Sequence, residues 1–291
     1  MTLPSRSTAR LNDAQLMQLA SRLTDRDRRI ALDCYEHRLL TTEQLRRLHF
    51  TTPRKARQRL SELYELRVLD RFRPAWQQGK GTTPHHWTLD AAGAHVVAAA
   101  RGITRRELAW TREPAAALVA STIREHLHAV NDFATRLHEE ARHAGGGLSR
   151  WLGERGAHEL MRGILTPDSY LALDLPGEPA RHVLLELDRG TEDHARLQAK
   201  ARRYAKAIPR SHLHKLDPLI LLLVPTAGRA QAVAASLLEA PRPVAVEAWA
   251  PGGESPLAVI QRRAQAGAPY RGTRADDLSL MSKASPVFPS P

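Results

Sequence analysis

Cysteine is nearly missing from this chain: 291 residues contain one, Cys34. A single thiol cannot build a disulfide framework or a cysteine-rich zinc site, and Cys34 falls inside an expected helix with no catalytic setting around it. Lysine is scarce too, at six of 43 basic residues. Such a bias can come from a GC-rich coding sequence, so arginine identity alone carries little meaning. Long apolar runs are lacking; the longest strong one, Leu219 to Val224, has the length of a strand, not of a membrane span. The opening MTLPSRSTARLNDAQ lacks the apolar core of a signal peptide, so a cytoplasmic protein with no membrane partner is expected. No G-x-S-x-G occurs. Gly79-Lys80-Gly81-Thr82 is not a P-loop, because Pro74 stands where that motif needs glycine. There is no internal repeat.

What is present is positive charge and enough apolar residue for packed cores. Hydrophobic residues make up 42%, which excludes wholesale disorder, and the formal net charge is +12. The length suits about two domains. The charge is unevenly placed. Residues 1–112 hold 21 Lys+Arg against 11 Asp+Glu, whereas residues 113–291 hold 22 against 20. A basic N-terminal third invites a polyanionic partner.

Residues 1–22 read as a flexible lead-in. Thr24-Asp25-Arg26-Asp27 gives a cap and an acidic first turn, opening a helix to about Leu39. Thr41-Thr42-Glu43 starts a second, short helix. Pro53 opens a third, about Arg54 to Leu66, with Ala56, Leu60, Leu63 and Tyr64 on its apolar face. Two short strands, Val68–Phe72 and His86–Leu89, flank a Gly/Lys/Thr-rich turn, and Asp90 caps an alanine-rich helix ending near Gly102. The order helix, helix, helix, hairpin, helix predicts a winged helix-turn-helix over 23–103. After a charged linker, a long helix runs from about Ala117 to His143. Strands are expected at 148–154, 167–173, 182–188, 217–224 and 243–249, with helices at 192–207 and 227–239. That makes a second, α/β domain over 115–263, followed by a disordered tail, 264–291.

A winged helix sets its third helix in the major groove. There Arg54, Gln58 and Ser61 lie opposite the apolar face, with Arg57 beside them; arginine reads guanine and glutamine reads adenine with paired hydrogen bonds. Arg46, Arg47, Lys55 and Arg59 are candidates for phosphate contacts, and Lys80 at the hairpin tip suits a phosphate or the minor groove. Double-stranded DNA is the expected partner. The blander reading is a solvated helix face, or a winged helix that docks protein.

In the second domain, the strands 167–173 and 182–188 would bring Asp168 beside Glu186 if they pair as a hairpin. Side-chain alternation puts Asp188 on the same face as Glu186. Three converging carboxylates suit a hard divalent cation, Mg²⁺ by preference, able to activate water against a phosphodiester. Glu154 is a possible fourth ligand, and Lys200, two turns into the next helix, would orient water or phosphate. Each residue alone has a plainer reading: Asp168 as a turn residue after Pro167, Glu186 and Asp188 as partners of Arg181 or Arg189, Lys200 as one of several exposed bases. Thr191 and Glu192 suit a helix cap and Tyr204 suits packing. Of two His-x-His strings, His126-Leu127-His128 lies in a helix that would splay its imidazoles, and His212-Leu213-His214 lacks a nearby third histidine.

The run PDSYLAL…LLELDRGTE…KARRY, with His126…Asn131-Asp132-Phe133 and Trp151-Leu152-Gly153-Glu154, resembles the replication-relaxation family of plasmids and integrative elements. That family includes relaxases of the MobC type. The resemblance spans most of residues 24–250 and is most specific over Glu186–Glu192. It implies a catalytic domain related to the PD-(D/E)xK restriction-endonuclease fold, often preceded by a winged helix. It also implies acidic site residues at Asp168, Glu186 and Asp188, with Lys200 as a migrated lysine. The implied function is Mg²⁺-dependent strand nicking at a plasmid or element origin, alongside mobilisation or replication proteins. One departure matters: the nuclease pattern wants lysine two residues after Glu186, and this chain has Asp188. That departure keeps open a non-catalytic DNA-binding replication or regulatory factor with a degenerate nuclease fold.

Overall fold

The computed structural model describes residues 13–74, 83–111 and 122–265. The expected hairpin turn with Lys80, part of the linker and the tail from 266 lie outside these residues. The chain forms an α+β protein in two compact units, residues 1–128 and 129–291. No described helix is long and apolar enough to cross a membrane.

The first unit runs α1 (Asp13–Arg22), α2 (Asp25–Glu36), β1 (Leu40–Thr41), α3 (Thr42–His49), α4 (Pro53–Glu65), β2 (Leu69–Phe72), β3 (His86–Leu89) and α5 (Ala91–Ala100). Local chemistry sets the starts. Thr24 and Thr41 each accept from the backbone three residues on, and Asp27 and Gln44 answer with their own side chains, so both helices open on full capping boxes. Thr52 caps α4 and Pro53 occupies its first turn, where no N–H is needed. The antiparallel strands lie in the order β1-β3-β2. Ile30, Leu45, Leu60, Leu63 and Leu69 are fully buried, and so is Trp87, whose indole N–H donates to Thr42 Oγ1 at 2.9 Å. At Gly93 of α5 an added Cβ would lie 2.2 Å from the Val68 carbonyl oxygen, so only glycine permits this approach of helix to strand.

The expected lead-in is not wholly irregular. Residues 13–22 are helical, because Leu16, Leu19 and Leu23 recur at three- and four-residue spacing and α1 packs on α5. Leu19 and Leu23 are buried.

The long helix α6 (Thr122–His143) passes from the first unit into the second at His128–Ala129. There follow β4 (Gly147–Gly153), α7 (Glu154–Leu160), β5 (Ser169–Asp174), β6 (Arg181–Leu187), α8 (His194–Ala207), β7 (Leu219–Val224), α9 (Ala227–Ser236), β8 (Val244–Ala248) and α10 (Pro256–Gln265). The strands form one mixed sheet in the order β4-β5-β6-β7-β8. The first three are antiparallel, and β6, β7 and β8 are parallel. The parallel joins need crossovers, which α8 and α9 supply. β7 reads LILLLV because a parallel inner strand is covered on both faces. On one face Tyr170 and Leu184 meet Leu160 and Met161 at the end of α7, Tyr204 from α8, and Ile208 and Leu213 beyond it. The added helices α7 and α10 were not expected; α10 carries the chain to Gln265, past the expected start of the tail.

Candidate functional site

β5 and β6 pair in the register Ser169↔Leu185, which sets Asp168 beside the end of β6. The Leu187 N–H donates to Asp168 Oδ2 at 2.7 Å, holding that carboxylate across the sheet from Glu186. Ser169, next in the chain, is fixed by the Trp151 indole N–H, and its hydroxyl donates to the Leu152 carbonyl at 2.7 Å. Position 168 is thus anchored from both neighbouring strands.

Glu186 is 2% exposed, an acid in the middle of an apolar sheet. Two groups from α8 come down to it. The Tyr204 hydroxyl donates to Oε1, and the Lys200 ammonium lies 2.6 Å from Oε2. Lys200 and Tyr204 are four residues apart and so share a helix face, which Leu197 and Ala201 bury against the sheet. Oε2 has the ammonium beside it but no aligned hydrogen bond. Burial first, and the neighbouring Asp168 charge second, push the Glu186 carboxyl up to about 8, against the pull of Lys200 and Tyr204. Burial works against the Lys200 charge, but the carboxylates of Glu186 and Asp168 outweigh it and hold the ammonium above its ordinary value. Burial and the Glu186 charge push the Tyr204 phenol well up. The cluster thus gathers two carboxyls, one ammonium and one phenol around one strand end, and burial favours the protonated forms of Glu186 and Tyr204.

Asp188 does not join it. β6 ends at Leu187 and the chain turns, so strict alternation no longer applies. Asp188 Oδ1 accepts from the backbone N–H groups of Gly190, Thr191 and Glu192, at 2.8, 3.1 and 3.2 Å. Its Oδ2 takes Arg229 Nε at 2.6 Å. A second Arg229 nitrogen donates to the Glu192 carbonyl, riveting α9 to the β6–α8 loop. Gly190 sits at φ +88°, which a side chain would strain. Asp188 therefore organises the loop that leads to α8. Glu154 opens α7 as an exposed residue and does not end a strand facing Glu186. Among the described residues no group of three or more His, Cys, Asp and Glu is placed to hold one ion. Two carboxylates remain, Asp168 and Glu186. Their oxygen donors fit Mg²⁺, which commonly takes one or two protein carboxylates and completes its shell with water and phosphate; the unaligned, buried Oε2 is the atom such an ion would use.

Sequence reasoning assigned Tyr204 to packing and passed over Arg229. The signal for Tyr204 was its four-residue spacing from Lys200. Nothing local marks Arg229, which is 41 residues from Asp188 along the chain. His212 and His214 flank the fully buried Leu213 and stand exposed.

In the first unit, α4 presents Arg54, Lys55, Arg57 and Gln58 as exposed residues opposite the buried Ala56, Leu60 and Leu63. Arg54, Lys55 and Arg57 have no ion pair among the described residues. Ser61 is half-buried on the same helix. Arg59 is different: its guanidinium clamps the wholly buried Asp27 of α2 through Nε at 2.8 Å and a second nitrogen, and also reaches Glu62. Burial tends to raise the Asp27 carboxyl, but Arg59 and Thr24 hold it below its ordinary value. Arg46 makes a two-pronged contact with Glu43, and Arg47 lies 3.5 Å from the same carboxylate. These three cations are engaged within the fold, and Lys80 is outside the described residues.

Together these features define an α+β protein whose first unit bears a cationic helix face and whose second bears a buried carboxylate–ammonium–phenol cluster on a mixed sheet. A family model described as Replication-relaxation matches residues 33–216, more than half of the chain, and the chain belongs to that family. The match takes in α4, Asp168, Glu186, Lys200 and Tyr204 and stops short of Arg229. Membership suggests a role in the replication or mobilisation of a plasmid or element. No curated protein and no solved structure matches the chain.

Proposed function

We propose that this chain is a two-domain, cytoplasmic DNA-binding protein that nicks one strand at a plasmid or element origin with the help of Mg²⁺. The first unit is read as a winged helix-turn-helix, within 23–103, with α4 as its reading helix. Arg54, Gln58 and Ser61 would meet base edges, and Lys55 and Arg57 the flanking phosphates. The second, within 115–263, is read as a restriction-endonuclease-like domain, from its run of helix, three antiparallel strands, crossover helix and parallel strand. The observation that carries the reading is the meeting of Asp168, Glu186 and Lys200 at one end of adjoining strands.

Asp168 and Glu186 would hold the ion, which when bound lowers the barrier to attack of water on a phosphodiester. The chain's own part is positional. Tyr204 fixes Oε1 of Glu186, so that Oε2 is the oxygen left to face a ligand. Lys200 supplies a cation at the same point for a phosphate oxygen or the attacking water. Asp188 and Arg229 keep the loop before α8 in shape, and so place Lys200.

Supercoiled plasmid carrying the element's origin, incubated with protein and Mg²⁺, tests this. Conversion to open circle that disappears in Asp168→Ala and Glu186→Ala is the expected result. A second reading, a DNA-binding factor without cleavage, is favoured by one observation: the Lys200 ammonium already sits on Glu186 Oε2, where an ion would bind. Origin protection with no nicking at any Mg²⁺ concentration selects it.

A further inference from the structure

The second unit looks nearly neutral on average, but its charge is segregated. Residues 194–216 contain seven Lys or Arg and no Asp or Glu. The run covers α8, the short 3₁₀ turn Ile208–Arg210, and the segment after it. The helix buries Leu197, Ala201, Tyr204 and Ala207 and turns Lys200 down to Glu186. Arg196, Arg202, Arg203 and Lys206 are left exposed on its outer surface. None of these four has an ion pair with an acid among the described residues, in contrast to Arg181, Arg242, Arg262 and Arg263, which are paired. Among the described residues Arg210 donates to the Lys206 carbonyl and has no ion pair, and Lys215 is exposed. The segment then docks on the end of α7, where the His212 N–H donates to the Leu160 carbonyl at 3.1 Å. That brings it to Arg162, a further exposed base. The protonation of His212 is depressed by burial and by the charges of Arg162, His214 and Arg150, so these cations crowd one locality.

Unneutralised cations held together cost self-repulsion, which an external polyanion relieves. We infer that the outer face of α8 and the segment 210–215 form a second nucleic-acid backbone site, which lays a phosphodiester strand along the helix that carries Lys200. Side chains three and four residues apart on a helix stand about 5–6 Å from each other, close enough to serve successive phosphates of one strand. The apolar face of α8 is spent on the sheet, so the helix has nothing to insert into a lipid surface. This goes beyond the α4 reading: the chain grips nucleic acid at two places, and the second does not depend on cleavage.

The test is binding of the full chain to labelled mixed-sequence duplex and single-stranded oligonucleotides in EDTA, across a salt series. Three variants are compared: Arg202→Gln/Arg203→Gln/Lys206→Gln, the charge-keeping double variant R202K/R203K, and Arg54→Gln/Lys55→Gln/Arg57→Gln on α4. Each lost phosphate contact lowers the slope of log K against log salt by about 0.7 to 0.9. The α8 glutamine variant is expected to bind on the order of tenfold more weakly at moderate salt, with a slope lower by about two. The lysine variant should keep wild-type affinity and slope, and both should keep the wild-type melting temperature. Unchanged affinity and slope in the glutamine variant overturn the inference, even if the α4 variant has lost DNA. So does a loss of binding to anionic vesicles with DNA binding intact. Failure to nick in the separate plasmid assay leaves this result standing.

Discussion

Glu186 shows what a single buried residue can demand of its neighbours. An acid at 2% exposure is costly unless it is answered, and here one helix answers with a phenol and an ammonium. Tyr204→Phe leaves Oε1 without its donor and should cost about 1–3 kcal/mol, read as a lower midpoint in urea. A pH effect follows with a definite sign. The Glu186 carboxyl titrates near 8 in the fold and at 4.5 in its ordinary state. Between those values the folded chain holds the extra proton, so this group's contribution to stability falls as pH rises from 4.5 to 8 and is level above that. Glu186→Gln should remove that slope from a plot of melting temperature against pH; an unaltered slope would show that Glu186 is not its source. Asp27 carries the opposite sign. Its lowered carboxyl contributes stability above its ordinary value of 3.8, which is lost as acid protonates the folded state. Replacing Arg59 by Gln strands that buried carboxylate and should cost about 3 kcal/mol.

At the scale of the element, α4 divides its cations into two kinds. Arg59 fastens the helix to α2, whereas Arg54, Lys55 and Arg57 face water. The Arg54/Lys55/Arg57 glutamine variant should therefore lose DNA affinity at an unchanged melting temperature, while Arg59→Gln should melt early. A sequence lists all four as bases on one helix; burial of Asp27, 32 residues away on α2, is what separates them. Gly93→Ala makes a related point. Its methyl would strike the Val68 carbonyl, and thermal unfolding should register a loss of about 1–3 kcal/mol. The hairpin of β5 and β6 was legible because alternating apolar runs and a Gly/Pro turn specify it locally. So was the nearness of Asp168 to Glu186, which follows from register. Asp188 was misplaced because alternation was carried one residue past the strand end, where three backbone N–H groups claim its carboxylate. Arg229 was invisible because its partners lie in the β6–α8 loop, 41 and 37 residues away along the chain.

For the whole molecule, charge and fold run along different lines. The basic surplus of the first third was plain from composition, but the acid-free run at 194–216 was hidden inside a nearly balanced second half. The family match also ends at 216, before β7 begins at Leu219. β7 pairs with β6 along Val183–Leu187, the stretch that contains Glu186. A chain cut after Leu216 would thus keep the whole matched region and still strip β6 of a neighbour. Its apolar edge would lie open, Arg229 would be gone, and such an edge is a template for aggregation. Expression of 1–216 should yield insoluble or oligomeric protein, whereas 1–265 should remain monodisperse on size exclusion; a soluble, folded 1–216 would contradict this. The matched stretch is therefore shorter than the stretch expected to stand alone, and the wall behind Glu186 is built from sequence that lies beyond the match.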